Sequence, residues 1–114
     1  MANKEDVKAA IEAVTKKFDD EKISSDFKTF NRSLIFDPSD LDIDFKITLQ
    51  DGKVQSLEEG NFEGATDITI IADSDTLVGV LDGSIKAMQA FTKQKLKVKN
   101  AKTPEMMKLM KIVG

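Results

Sequence analysis

The chain has no cysteine, histidine, tyrosine or tryptophan. Lack of cysteine excludes disulfides and thiol chemistry. Lack of histidine removes the commonest general base and a leading zinc ligand. Any catalysis would rest on Asp, Glu, Lys, Ser or Thr, so binding is the better expectation than chemistry. No apolar run approaches the ~18 residues that a membrane-spanning helix needs. The opening stretch, "MANKEDVKAA", is charged and unlike a secretory leader. A cytoplasmic location is the default expectation. No Gly-rich phosphate loop or nucleophile motif occurs, and no cofactor is expected.

What is present describes an ordinary globular chain. At 114 residues, 40% apolar and 32% charged, it suits a single domain over residues 1–114. The net charge of −3 is unevenly placed: residues 93–114 carry seven lysines against Glu105, +6, which leaves −9 on the first 92 residues. A basic end is either a solvated face or the footprint of an anionic membrane. Nucleic acid is not expected as a partner. The basic stretch has no aromatic side chains for stacking between its lysines and no arginine for base edges.

Periodicity then sets out the elements. Asn3 suits an N-cap and Asp6 falls at the capping-box position. Val7, Ile11, Val14 and Phe18, with Ala10 and Ala13 beside them, form a helical stripe that "DDEK" ends in solvent. A short helix to about Phe30 and an edge strand at "SLIF" follow, broken at Asp37-Pro38. "LDIDFKITLQDG" alternates perfectly, with Leu41, Ile43, Phe45, Ile47 and Leu49 on one face, and Asp51-Gly52 signals a hairpin. "KVQSLEEGN" is the return strand, and "TDITIIAD" is another strand. Asp73, Ser74 and Asp75 offer caps for a helix that closes at Asp82-Gly83. Ser84 can cap "IKAMQAF", "KLKVK" alternates again, and Thr103 with Pro104 opens a last helix through Met106–Val113. This order predicts an α+β fold: a mostly antiparallel sheet with helices on one face.

Two groups of side chains invite chemistry. Asp40, Asp42 and Asp44 share a strand face, but as a calcium loop they fail: counting from Asp40, the sixth residue is Phe45 and the twelfth is Asp51. A solvated face is the reading for them. The second group is apolar. Met88, Phe91, Met106, Met107 and Met110 sit in the two helical elements flanking the final strand. Methionine is flexible and polarizable, so it fills ordinary core or lines surfaces that accept varied shapes. The last helix is apolar on more than one face, because Met107 and Ile112 widen the stripe of Met106, Leu109, Met110 and Val113. That surplus faces core, a partner chain, a membrane or a hydrophobic ligand.

"TDITIIADSDTLVGVLDGSIKAMQAFTKQKLKVK" resembles the core signature of the sterol carrier protein 2 family. The matching positions are Asp67, Thr69 and Ile70; Leu77 to Gly83; Ala90 and Phe91; and Lys95 to Val98. The chain departs from the family at Gln94 and Asn100, where glycine is usual, and lacks its second-strand tryptophan. It ends Ile-Val-Gly, without a peroxisomal Ser-Lys-Leu signal. The resemblance implies a five-stranded sheet covered by helices, with an apolar cavity closed by the C-terminal helix. It also implies non-catalytic binding or transfer of a fatty acid, acyl-CoA, phospholipid, isoprenoid or sterol. The alternative is an accessory or dimerisation module for an enzyme of lipid or quinone synthesis. The expected lining is Leu81, Ile85, Met88, Phe91, Met106, Met107, Met110 and Val113. Lys93, Lys95, Lys97, Lys108 and Lys111 are placed to attract an anionic head group or membrane surface. Homodimerisation through the apolar end is the remaining partner expectation.

Overall fold

A computed structural model describes residues 2–62, 64 and 66–113. Helix α1, Lys4–Lys17, opens on the expected capping box: the Asp6 N–H donates to Asn3 Oδ1 (2.9 Å) and the Asn3 N–H to Asp6 Oδ2 (3.1 Å). Its stripe of Val7, Ile11 and Val14 is buried, as is Phe18 at the C-cap. The "DDEK" stretch does more than end a helix. Asp20 accepts from the Lys22 N–H (2.8 Å) and so starts α2, Glu21–Asp26. Phe27 follows it and meets Phe18 and Phe30 edge to face, with ring centroids 5.2 and 5.3 Å away.

Five strands form one sheet in the order β3-β2-β1-β4-β5. They are β1 (Ser33–Pro38), β2 (Asp44–Gln50), β3 (Lys53–Gly60), β4 (Ile68–Ala72) and β5 (Lys97–Lys99). Three pairings are antiparallel and β1–β4 is parallel. The β2–β3 hairpin fills one side of β1, and β4 takes the other. Strand β1 is therefore central and not the edge strand that the break at Asp37-Pro38 suggested. Its composition explains why: Leu34, Ile35 and Phe36 are all buried, so both of its faces are covered. Pro38 sits at its last position, and the following Ser39 N–H continues the pairing by donating to the Ala72 carbonyl (2.9 Å).

The hairpin turns at Asp51 and Gly52, with φ of 53° and 80°, the primed turn that matches strand twist. Core side chains from α1 and from one sheet face (Leu34, Phe36, Phe45, Ile47, Leu49, Ile68, Ile70) make one cluster, so the helices lie on that face.

The alternation before β2 is cut short. Leu41 and Ile43 precede the strand and line a groove of about 480 Å³ on the sheet's other face, with Ile35, Ile71 and the three carboxylates Asp37, Asp42 and Asp44. Asp40 leaves that row altogether. Its carboxylate accepts from the Ser74 N–H and hydroxyl, both at 2.7 Å, and those bonds hold its pKa below the usual carboxylate range. It thus supplements Asp73, which accepts from the Thr76 N–H (2.8 Å), at the start of α3, Ser74–Asp82. No group of acids among the described residues is arranged to hold a metal ion.

Gln94 and Asn100 both adopt left-handed backbone, with φ of 61° and 63°. That conformation strains a residue with a Cβ, and asparagine tolerates it better. Asn100 also uses its side chain, donating to the Asp67 carbonyl (3.1 Å). Gln94→Gly should therefore raise stability by about 1 kcal/mol. Asn100→Gly should give no gain, because it forfeits that bond. Urea denaturation of both variants checks the pair, and a lower midpoint for Gln94→Gly contradicts the strain.

Candidate functional site: an apolar cavity under the last two helices

Two short helices complete the helical layer. Helix α4 spans Ala87–Thr92 and α5 spans Thr103–Leu109. Ser84 does not cap α4. Its N–H donates to Asp82 Oδ1 and its hydroxyl to the Gly79 carbonyl, while Lys86 holds the cap position without a side-chain bond. In α5, Lys102 and not Thr103 precedes the helix, and the Lys102 N–H donates to Glu105 Oε1 (2.9 Å). The helix also ends at Leu109, short of the Val113 expected, and a turn carries the chain on to a buried Ile112.

Between α3, α4, α5 and the β4–β5 end of the sheet lies a cavity of about 240 Å³. Ile70 and Val98, cross-strand partners, form its floor. Leu77, Val80 and Leu81 of α3 form one wall; Ala87, Met88 and Phe91 of α4 form another. Leu96, Met106, Met107, Leu109, Met110 and Val113 close the far side, and among the described residues Thr103 supplies the one polar side chain of the lining. The mouth is oily. Met88, Phe91, Met107 and Met110 are 61%, 43%, 68% and 39% exposed, although α4 and α5 have buried faces of their own.

Seven of the eight expected lining residues thus come together: Leu81, Met88, Phe91, Met106, Met107, Met110 and Val113. Ile85 does not. Its side chain lies on Gly79 of α3, where a Cβ would strike it, and its N–H donates to the Gly79 carbonyl (2.9 Å). Ile70, Leu77, Val80, Ala87, Leu96, Val98 and Leu109 were not singled out from the sequence, because their spacing is that of ordinary core. The one available signal was the inward alternation of Leu96 and Val98.

Helix α5 is tied down at both ends. Arg32 Nη1 bonds both Glu105 carboxylate oxygens (3.0 and 2.8 Å), and its Nη2 donates to the carbonyls of Thr66 and Asn100 (both 3.3 Å). The Lys102 N–H, and then Arg32, hold the Glu105 pKa below its ordinary value. At the other end Lys17 Nζ donates to the Ile112 carbonyl (2.7 Å), and Lys111 pairs with Asp26 (3.4 Å). Leu109 and Ile112 are the buried seat of this segment, and its methionines are left toward the cavity and its mouth.

Among the described residues the cavity lining is apolar apart from Thr103, a surface whose burial by apolar matter is favoured by the exclusion of water. The larger groove on the opposite face is lined by carboxylates and does not offer that. A five-stranded sheet with helices on one face and an apolar cavity between them defines an α+β domain. This chain belongs to the SCP-2 sterol transfer family, whose sequence model matches residues 11–114.

Its fold is similar to a crystal structure of sterol carrier protein 2, with a TM-score of 0.70 at 20% identity, over 91% of this chain and 92% of that one. It is also similar to palmitated sterol carrier protein 2-like 2 from Aedes aegypti, solved in solution (TM-score 0.65, 12% identity, 97% and 94% covered). A third neighbour is a ubiquinone synthesis protein, UbiJ-SCP2 (TM-score 0.64, 16% identity, 98% and 92% covered). No curated protein matches the chain significantly. No helix among the described residues is long and apolar enough to cross a membrane.

Proposed function

We propose that this protein binds and carries a lipid with a single long apolar chain, without catalysing a reaction on it. The observation that supports this most is the apolar cavity of about 240 Å³, which opens between α4 and α5. An engineered apolar cavity of ~150 Å³ stays dry and takes up benzene, so this one has room for part of an acyl chain. Its similarity to a palmitated relative agrees with such an occupant. The driving force is desolvation, ~0.8 kcal/mol per buried methylene. Methionines at the mouth adapt to chain shape, so head group and unsaturation should matter less than length.

The test is a titration with saturated fatty acids from octanoate to palmitate. Affinity should rise about fourfold per methylene until the cavity is full, and then level off. Affinity independent of chain length, or no binding at micromolar ligand, refutes the carrier reading.

A second reading is favoured by the exposure of Met107 and Met110. The same face would then dock on a synthesis enzyme or on a second copy of the chain, in line with the ubiquinone-synthesis neighbour. Sedimentation of the fatty-acid samples separates the two readings. A dimer that dissociates on Met107→Ser with Met110→Ser, and binds no fatty acid, favours the second.

A further inference from the structure

We infer that Arg32 is a positioning residue whose guanidinium latches the N-terminal half of α5, and that the cavity admits and releases its ligand when this latch parts. The inference rests on the carrier reading and adds to it the end from which the cavity opens and the group that sets the rate. The two ends of the α5 segment are held by different means. At the C-terminal end Leu109 and Ile112 are buried and supply an apolar seat. From Thr103 to Lys108 no side chain is buried, although Thr103, Met106 and Met107 line the cavity. What holds this half is the one arginine of the chain. Its Nη1 bonds both carboxylate oxygens of Glu105, in the first turn of α5 (3.0 and 2.8 Å). Its Nη2 donates to the Asn100 carbonyl (3.3 Å), where Ala101 and Lys102 begin the tether from β5 to α5. One group therefore grips both the helix and its tether.

The position of the arginine is itself fixed. Its carbonyl accepts from the Leu49 N–H of β2 (3.0 Å), and the neighbouring Asn31 accepts from the Asp51 N–H at the hairpin turn (2.9 Å). The Arg32–Glu105 pair is partly exposed, so water and salt reach it. Parting it exchanges charge-assisted bonds for bonds to water. Withdrawing Leu109 and Ile112 would instead expose two whole aliphatic side chains, which is the larger cost. Local opening follows the smaller cost. Helix α5 therefore pivots on its C-terminal seat and lifts at Glu105.

The experiment has two arms, both on the full chain. The first is amide hydrogen exchange without ligand. Arg32→Gln should speed exchange of residues 106–110 about tenfold, as loss of charge-assisted bonds predicts, and leave α3 unchanged. The second is stopped-flow mixing with the fluorescent fatty acid dansylundecanoic acid. Arg32→Gln should raise the association and release rates together, by about tenfold, and leave Kd within about twofold. The reason is that the latch is made equally in the empty and the filled closed states and in neither open state. Glu105→Gln keeps an oxygen for the Lys102 N–H and should match Arg32→Gln, and the double variant should be no faster than either. Salt at about 0.5 M should speed the parent and not Arg32→Gln. Lys17→Met removes the bond to the Ile112 carbonyl at the seated end, and should change the rates less than about twofold.

Parent-like exchange or parent-like rates in Arg32→Gln overturn the inference. So does an equal acceleration in Lys17→Met, since the helix then leaves by its seated end or as a whole. A raised Kd with an unchanged association rate also overturns it, because Arg32 then shapes the cavity and not its opening. Far-ultraviolet circular dichroism checks folding, and Glu105→Gln decides the matter should Arg32→Gln misfold. A parent that takes up no fatty acid refutes the carrier reading. The exchange arm then decides the latch alone: faster exchange confined to α5 sustains it, and parent-like exchange rejects it.

Discussion

Replacing Val98 by tryptophan should weaken binding of a long-chain fatty acid about 100-fold while leaving the fold in place. Val98 is half-buried on β5 and forms the cavity floor with Ile70. An indole there occupies the space of roughly four chain methylenes. At ~0.8 kcal/mol each, their exclusion corresponds to a loss near two orders of magnitude. Overpacking a filled core costs ~1–3 kcal/mol, but a cavity can absorb the added volume. The parent has no tryptophan, so the new indole is also the sole such reporter of its surroundings. Isothermal titration gives the affinity, and near-ultraviolet circular dichroism gives the packing. The control is Ile71→Trp, one residue along β4's direction and on the sheet's other face, which should bind as the parent does. Parent-like affinity in Val98→Trp means that the ligand lies elsewhere.

The second large effect concerns the seat of α5 and not its methionines. Ile112 is 1% exposed, and its carbonyl accepts the bond from Lys17. Ile112→Ala deletes buried methyl and methylene groups where the backbone is held by that bond and cannot easily collapse. It should cost about 3 kcal/mol of folding stability. Met107→Ala removes a side chain that is mostly in water, and should change stability by less than about 0.5 kcal/mol. Urea denaturation of the two variants decides between a seated lid and a uniformly packed one. Comparable losses would show that the exposed methionine carries core energy, contrary to the placement seen here.

Much of this architecture was legible in short stretches. Asn3 with Asp6, Asp51-Gly52, and Asp73 with Gly83 each mark an element end through bonds or dihedrals made within a few residues. The stripe of α1 and the alternation of Phe45, Ile47 and Leu49 gave burial correctly for the same reason. The left-handed positions at Gln94 and Asn100 were visible as departures from a pattern that prefers glycine. Misreadings arose where distant residues decide. Asp40 was placed with Asp42 and Asp44 by its spacing, yet its partner is Ser74, thirty-four positions away. Ile85 had the spacing of a lining residue, but the absence of a side chain at Gly79 gives it a better seat. The edge assignment of β1 failed because a local break says nothing about what lies on either side of a strand.

The amino-acid sequence by itself determined the order and type of most helices and strands, the apolar stripe of α1, and that the C-terminal segment has more apolar surface than one face requires. These follow from periodicity, capping and turn chemistry, all of which act over a handful of residues. Tertiary structure alone decided which of those faces are covered. It set β1 between β2 and β4, brought Arg32 to Glu105 across 73 positions, and buried Leu109 and Ile112 while leaving Met107 and Met110 uncovered. Burial is a property of neighbours that the chain supplies only after it has closed on itself. For that reason the hollow beneath α4 and α5 has no counterpart in any single stretch of sequence.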